Sequence, residues 1–280
     1  MRTFTAEIFR LLFKFPFFRK RFFGIFKRFI FPFNLFKGVK KNFVFKNQIQ
    51  FKLHLDDWIQ QNLFFLDGYE DLELQFLEAS LKEGSVFVDI GANIGLFSLV
   101  ASQKIGKNGR VISFEPFKKN FDALKKNISL NNSENIKTEK LAVAQTKSQM
   151  PIFYDPKESN QGMASLYSAK NPYYEQIETI SLDEYFKDHS VGEVDFIKLD
   201  IEGGEYPALL GMKETLLKYG PKLLIEIDDE ILSNTPFTSQ QILSYLSELG
   251  YNKYFLDQTG ELSEKETGTN LKNYIFIRKS

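Results

Sequence analysis

The chain contains no cysteine, which excludes disulfide bonds, thiolate metal sites and a cysteine nucleophile. This composition suits a reducing compartment, so we expect a cytoplasmic protein. Histidine is nearly absent too: His54 and His189 are too few for a histidine-rich metal centre. The 280 residues carry no net charge, and we therefore expect no nucleic-acid partner.

Acidic residues are scarce at the amino-terminal end, where residues 1–46 hold twelve Lys and Arg but a single acid, Glu7. The same segment holds fifteen of the thirty phenylalanines. This contrast predicts two domains, a basic, Phe-rich extension over 1–46 and a second domain over 47–280. The extension has no uncharged run of the roughly 18 residues that a membrane-spanning helix requires, and it lacks the pattern of a signal peptide.

Apolar residues recur every three or four positions in this extension, which predicts helix: Phe4, Ile8, Leu11, Phe15, Phe18, Phe22, Ile25 and Phe29. Pro16 should interrupt or kink that helix. A basic, aromatic helix is typical of residence at an anionic membrane surface, here the inner face of the membrane. The alternative is a helical extension that packs on the rest of the chain or on a second subunit of a homo-oligomer.

Strand-like and helix-like segments alternate from Val86 onwards. The pattern predicts strands at 86–90, 110–114, 136–144, 194–199, 223–227, 251–256 and 273–278, and helices at 94–104, 117–130, 205–218 and 239–249. Residues 145–180 are polar and aromatic, and we expect an irregular loop insertion there. Such alternation predicts an α/β fold, with a mostly parallel sheet covered by helices on both faces.

Ligands of such sheets bind at the carboxyl ends of the strands, and the stretch VFVDIGANIGLFSL (86–99) lies at one of them. Its spacing is G-x-x-x-G rather than the dinucleotide pattern G-x-G-x-x-G. Asp89 would repel a phosphate but suits a cationic amine. Glu115, at the end of the next strand, can accept hydrogen bonds from both hydroxyls of a ribose. S-adenosylmethionine carries both groups. Alternatively, the turn merely connects sheet to helix and Asp89 caps that helix.

Four motifs together resemble the FkbM-type methyltransferases, which are class I S-adenosylmethionine-dependent enzymes. They are VFVDIGANIGLFSL, SFEP at 113–116, SLDEYF at 181–186 and DFIKLDIEGGEYPALLGM at 195–212. The resemblance covers residues 66–278. It implies a Rossmann-like, seven-stranded sheet whose last strand is antiparallel. It also implies methyl transfer to an oxygen acceptor, on a sugar, a glycolipid or a polyketide-like small molecule.

The resemblance also implies roles for particular residues. Asp89, Gly91, Asn93 and Gly95 would hold the methionine end of S-adenosylmethionine, and Glu115 its ribose. The exit of the third strand, near Ala142 and Val143, would border the adenine.

A second constellation, KLDIEGGE at 198–205, follows the fourth strand. Asp200 and Glu202 lie two residues apart in an extended segment and so point the same way. We expect Asp200, and next Glu202, to act as the base or to orient the acceptor. Lys198 can pair with one of these acids and lower its pKa. Glu226 can reach the same cleft, and three acids permit a Mg²⁺ site, which we do not favour. Alternatively, Asp200 and Glu202 cap the following helix.

The insertion at 145–180 suggests a lid over the acceptor, with Asn160, Gly162, Ser165 and Tyr167 as its candidate contacts. A surface loop is the alternative. Two other functions compete with methyl transfer. One is a nicotinamide-dependent oxidoreductase on a similar sheet, which the glycine spacing and Asp89 oppose. The other is a non-catalytic protein that binds S-adenosylmethionine or serves as a scaffold.

Overall fold

The protein is described by a computed structural model that covers residues 2–46, 48–155, 165, 173–266 and 272–279. The chain divides into two compact units, of which the first runs to Asp71 and the second begins at Leu72. The domain boundary predicted between residues 46 and 47 lies inside the first unit, and the division of the sequence into domains there stays a prediction.

The first unit joins short helices to a hairpin. Its elements are α1 (Arg2–Phe13), α2 (Pro16–Arg19), α3 (Phe22–Ile25), a π-helical turn (Phe26–Ile30), β1 (Lys40–Phe45), β2 (Ile49–His54) and α4 (Trp58–Leu66). Pro16 opens α2, because proline is tolerated in the first turn of a helix but not within one. The predicted interruption of the amino-terminal helix is therefore present.

Buried phenylalanine rings form the interior of the first unit. The Phe13 ring lies 5.0 Å from that of Phe22 in an edge-on arrangement, and the Phe36 ring lies 5.1 Å from that of Phe65. Trp58 packs 4.3 Å from Phe26. Such pairs stabilise a fold beyond the area that they bury. The extension is thus folded against residues 48–71 of its own unit.

The second unit is an α/β domain. Its strands are β3 (Val86–Ile90), β4 (Arg110–Phe114), β5 (Ile136–Glu139), β6 (Ala142–Val143), β7 (Ser148–Tyr154), β8 (Tyr173–Ile180), β9 (Phe196–Leu199), β10 (Lys222–Glu226), β11 (Tyr251–Leu256), β12 (Leu262–Ser263) and β13 (Asn273–Arg278). Its helices are α5 (Asp71–Ser80), α6 (Leu96–Ile105), α7 (Lys118–Asn131), α8 (Leu182–Asp188), α9 (Glu205–Leu210), α10 (Lys213–Tyr219), α11 (Asp229–Leu232) and α12 (Ser239–Glu248).

The main sheet has the order β12-β11-β13-β10-β9-β3-β4-β5. Strands β5, β4, β3, β9 and β10 run parallel, and β13 lies antiparallel between β10 and β11. The predicted Rossmann-like sheet with an antiparallel last strand is confirmed, and the two-residue strand β12 adds an eighth. The strand order turns at β3 and β9, where such sheets bind ligands.

Alternate residues of the central strands face opposite layers of helices. Val88, Ile112 and Ile197 join one apolar core with side chains of α8, α9, α10 and α12. Asp89 faces the other way, where it meets Ser98 of α6. The predicted helices on both faces are therefore present, and α6 covers the face that carries the polar residues.

The third predicted strand is too long, and the predicted irregular insertion is partly wrong. β5 ends at Glu139, and Ala142–Val143 instead pairs with β8 in a separate three-stranded sheet of order β6-β8-β7. Residues 148–154 and 173–180, expected to be irregular, form an antiparallel pair. A proline, Pro151, is tolerated in β7 because β7 is an edge strand.

The helix predicted at 205–218 is two helices, α9 and α10, with Gly211 between them. A Cβ atom at Gly211 would lie 2.0 Å from the carbonyl oxygen of Ala144. The helix therefore breaks where its backbone meets the chain that leaves β6.

Candidate active site

The turn between β3 and α6 lies directly against the segment that follows β9. Gly91 has φ +85°, and a Cβ atom there would lie 1.8 Å from the carbonyl oxygen of Asp200. Glycine is needed for this torsion and for this close approach. Asn93 and Gly95 also have positive φ, at 51° and 91°. The structure thus brings the candidate cofactor loop into contact with the candidate catalytic segment.

Asp89 lies in a buried polar row that crosses three neighbouring strands. Ser113 of β4 and Lys198 of β9 are its register partners. The Ser98 hydroxyl of α6 donates to Oδ2 of Asp89 at 2.5 Å and contacts the Ser113 hydroxyl at 2.7 Å. Oδ1 of Asp89 has no hydrogen-bond partner among the residues that the structure describes. Burial raises the pKa of Asp89, and the Lys198 ammonium opposes that rise. This orphaned acceptor suits an incoming ammonium group.

Glu115 links the end of β4 to the same turn. Its Oε2 accepts a hydrogen bond from the backbone N–H of Asn93 at 2.8 Å, and Oε1 accepts one from that of Phe117 at 3.0 Å. Burial raises the pKa of Glu115 to about 7, although these two bonds lower it. Each carboxylate oxygen can accept a further hydrogen bond, so the group can still receive two hydroxyls.

Three carboxylates meet beyond the ends of β9 and β10. Asp200, Glu202 and Glu226 each place an oxygen atom within 4.8 Å of the other two. Nζ of Lys198 donates to Oδ2 of Asp200 at 2.8 Å, as the sequence suggested. Burial acts to raise the pKa of Asp200, but Lys198 and a hydrogen bond with Glu226 hold it below its ordinary value. Asp200 is therefore a stable carboxylate and a weak proton acceptor.

The pKa of Glu202 is shifted in the opposite direction from that of Asp200. Burial, and then the negative charges of Asp200 and Glu205, raise its pKa well above the ordinary value. Its φ of 56° lies in the left-handed region, which is uncommon for a residue with a side chain. Strained torsions of this kind concentrate at functional sites.

Glu205 braces the turn that carries Glu202. Its Oε1 accepts hydrogen bonds from the backbone N–H groups of Ile201 at 3.2 Å and Gly203 at 3.1 Å. Burial raises the pKa of Glu205 to about 7. The cap residue of α9 is Gly204, so Asp200 and Glu202 do not cap this helix. The helix-cap alternative for these two acids is wrong.

Ser165 is the described residue of the candidate lid. It pairs with Phe153 of β7 through two backbone hydrogen bonds, and its hydroxyl donates to the carbonyl oxygen of Glu202 at 2.7 Å. The insertion therefore reaches, through Ser165, the turn that carries Glu202. The other candidate contacts, Asn160, Gly162 and Tyr167, lie outside the described residues.

Ala142 and Val143 follow the end of β5 at Glu139 by three and four residues, and they form β6 rather than the last part of the third strand. Ala142 belongs to a small apolar cluster with Phe117, whose N–H binds Glu115. That position lies beside the predicted ribose-binding acid. Val143 lies within the main core and is 1% exposed. Ala142 is thus the better placed of the two to border a bound base.

Several residues of the site escaped the sequence analysis. Ser98, Ser113 and Glu205 lie inside the quoted motifs but were given no role, because their partners are set by strand register and helix packing. Lys272, which precedes β13, pairs with Asp228. Its charge also acts on Glu202, where it lowers the pKa. A lysine directly before the predicted last strand gives no local hint of this contact.

The three carboxylates have the chemistry to hold a hard cation. Asp200, however, already binds the Lys198 ammonium and hydrogen-bonds with Glu226. A metal ion would compete with both contacts for the carboxylate oxygens of Asp200. Mg²⁺ therefore stays unfavoured in our interpretation of this cluster.

The sheet order defines an α/β protein whose acids at the ends of β3, β4 and β9 lie at the topological switch point, where such sheets bind ligands. A family model described as the methyltransferase FkbM domain matches residues 89–253, and the chain belongs to this family. The methyltransferase sdnD of Sordaria araneosa is 28% identical over 167 residues. That match covers 49% of this chain and 63% of the relative's length.

Solved structures of methyltransferases are also similar to this chain. The methyltransferase FkbM from Methylobacillus flagellatus has a TM-score of 0.44 at 18% identity, covering 79% of this chain and 55% of that one. An O-methyltransferase from Bacillus cereus, in complex with SAH, has a TM-score of 0.46 at 15% identity. It covers 76% of this chain and 83% of that one.

Proposed function

We propose that this protein transfers a methyl group from S-adenosylmethionine to a hydroxyl oxygen. The observation that supports the proposal best is the direct contact of the Gly91 turn with Asp200. A loop suited to the donor thereby adjoins a cluster of acids suited to the acceptor. In-line displacement at a methyl carbon requires such juxtaposition, and alignment alone can supply about 7–11 kcal/mol.

The donor would be held by residues on both sides of the turn. Oδ1 of Asp89, which lacks a partner among the described residues, would accept from the ammonium group. Glu115 would accept from the two ribose hydroxyls through the free capacity of its carboxylate oxygens. Asn93 and Gly95 shape the turn, and Ala142 would border the adenine. The sulfonium of the bound donor supplies the electrophilic methyl group.

The acceptor hydroxyl must lose its proton as the oxygen–carbon bond forms and the carbon–sulfur bond breaks. A base works best when its pKa is close to the working pH. The raised pKa of Glu202 meets this condition better than the lowered pKa of Asp200. We therefore assign proton removal to Glu202 and orientation of the acceptor hydroxyl to Asp200. This reverses the order expected from the sequence.

The acceptor class rests on the family resemblance: a hydroxyl on a sugar, glycolipid or polyketide-like molecule. The insertion, whose Ser165 contacts the Glu202 turn, is our candidate for a lid over the acceptor. Ser165, through its bond to the Glu202 carbonyl, would couple the position of the insertion to that of the base.

The test is transfer of a labelled methyl group from S-adenosylmethionine into saccharide and glycolipid extracts. We expect Glu202→Gln to lower the rate by about 10²–10⁴-fold, the usual contribution of a positioned base, without loss of donor binding. Asp200→Asn should impair transfer as well. Glu134→Gln changes an exposed acid before β5 and serves as the matched control. Full activity of Glu202→Gln would refute its assignment.

Two rival functions give different results. A nicotinamide-dependent oxidoreductase would bind NAD rather than S-adenosylmethionine in calorimetry. A non-catalytic binding protein would bind S-adenosylmethionine, yet transfer no label to any extract, and its Glu202→Gln variant would behave like the wild type.

A further inference from the structure

The first unit leaves many large apolar side chains in contact with solvent although its interior is already filled. Those of residues 1–46 that are at least 40% exposed are Phe4, Ile8, Leu11, Phe15, Phe17, Phe23, Phe29, Phe31, Phe33 and Val44. Phe4 and Phe33 are each 71% exposed. A soluble surface rarely carries so many, and such concentrations mark interaction sites.

The exposed apolar residues of helix α1 lie along one stripe of the helix. Ala6 and Phe13, seven residues apart, form its buried face. Phe4, Ile8 and Leu11 follow the spacing i, i+4, i+7 and form a second apolar stripe, which is exposed. One stripe belongs to the interior of the unit, so the other is available to a partner.

Cationic side chains accompany the exposed rings. The Arg21 guanidinium lies 3.9 Å from the centre of the Phe17 ring, and Nζ of Lys27 lies 4.7 Å from that of Phe23. Further exposed cations lie in the same segment: Lys14, Arg19, Lys20, Arg28 and Lys37. Lys and Arg can keep their charge in water while their stems cover apolar surface.

We propose that these exposed side chains of residues 1–46 form a docking surface for an anionic lipid bilayer. The aromatic and aliphatic groups would enter the headgroup and acyl boundary, and the cations would bind lipid phosphates. Among the described residues, no helix is both long enough and apolar enough to span a membrane. The docking surface would therefore bind at the boundary between membrane and water, without spanning the bilayer.

Charge opposes pairing of this surface with the same surface of a second copy, and the scarcity of exposed apolar residues elsewhere in the described part of the chain opposes other pairings. Residues 1–46 carry a net charge of +11, from twelve cations and one acid, so two such surfaces would repel each other. Among the described residues of the second unit, the large apolar side chains counted as exposed are Tyr173, Tyr174, Leu217 and Leu262. They are few, and so offer another copy's surface no comparable apolar partner.

The test is cosedimentation of the full chain with two kinds of vesicle. One is pure phosphatidylcholine, and the other also contains about 30% phosphatidylglycerol. We expect binding to the anionic vesicles that weakens as salt is added. Phe4→Ser with Leu11→Ser should weaken it by roughly tenfold or more, because apolar insertion is lost. Leu217→Ser with Leu262→Ser removes two exposed apolar groups from the second unit, and should leave binding unchanged.

Arg19→Gln with Lys20→Gln should weaken binding to anionic vesicles while the apolar stripe stays intact. Equal binding of the wild type to neutral and anionic vesicles would overturn the proposal, as would no binding to either. Sedimentation velocity gives a second readout. A dimer that Phe4→Ser with Leu11→Ser dissociates would instead assign the surface to a second copy.

Discussion

At the scale of single residues, the carboxylates of the cleft differ in how each charge is compensated. Asp89 has one oxygen bound by a serine hydroxyl and one without a described partner. Asp200 is paired with Lys198, whereas Glu202 faces other acids. Carboxylates of the same chemistry thus have different pKa values, according to the neighbours of each group, which is the basis of the different roles that we propose for them.

Glu115 provides a prediction at this scale. Its pKa is raised to about 7, so it is largely protonated at pH 6 and largely ionised above pH 7.5. In the proposed complex, the ionised form would accept hydrogen bonds from both ribose hydroxyls. We therefore expect the affinity for S-adenosylmethionine, measured by calorimetry, to rise roughly five- to tenfold between pH 6 and pH 7.5.

Glu115→Gln removes the titrating group and should bind the donor more weakly, with little dependence on pH in this range. Glu134→Gln should retain the wild-type profile. A wild-type affinity that is constant from pH 6 to pH 7.5 would contradict the role of Glu115.

At the scale of elements, the turn between β9 and α9 depends on Glu205, which gives a stability prediction. Its pKa is about 7 in the folded protein and about 4.5 in an unfolded chain. The folded state therefore binds this proton more tightly, and stability falls as pH rises from about 4.5 to 7. Above pH 7 the contribution of this proton to the free energy of unfolding is fully lost.

Glu205→Gln keeps an oxygen that can accept from Ile201 and Gly203 but carries no charge. We expect its free energy of unfolding in urea to exceed that of the wild type at pH 8, by roughly 1–3 kcal/mol, and to approach it at pH 4.5. Other acids with raised pKa values will preserve part of the dependence of stability on pH in this variant. An identical pH dependence in the two proteins would show that Glu205 does not titrate as described.

Most strands could be predicted because apolar, β-branched runs bounded by polar residues carry a local signal. Val86–Ile90, Arg110–Phe114 and Asn273–Arg278 are found at the predicted bounds. The pair β7 and β8 was missed, because apolar and polar residue types do not alternate along Tyr173–Ile180, and alternate burial over residues 175–179 becomes visible only in the structure. The division between α9 and α10 could not be predicted, since Gly211 meets a carbonyl oxygen 67 positions earlier in the chain, that of Ala144.

The candidate site, too, could be predicted only in part. Glycine turns and acids at strand ends are local, and they identified the Gly91 turn, Glu115 and the Asp200 segment. Which acid is fixed and which has a raised pKa depends on Lys198, Glu226 and Lys272, which are brought together by sheet register. No single stretch of sequence contains that information.

At the scale of the whole molecule, ligand binding should raise the stability of the folded protein. S-adenosylmethionine at 100 times its Kd should add about 2.7 kcal/mol. For a chain of this size, we expect the Tm to rise by roughly 5–10 °C in differential scanning calorimetry. Asp89→Asn should lose most of this shift at the same donor concentration. A comparable shift with NAD would instead favour the oxidoreductase.

The position of Lys198 has a consequence for the order of events in the proposed reaction. Its ammonium group hydrogen-bonds to Asp200 and also acts on Asp89, its register partner one strand away. In the proposed reaction, a proton taken up by Glu202 would make the electrostatic potential of this cluster more positive. Asp89 would then bind the donor's ammonium group less tightly, so transfer would itself favour departure of the spent donor.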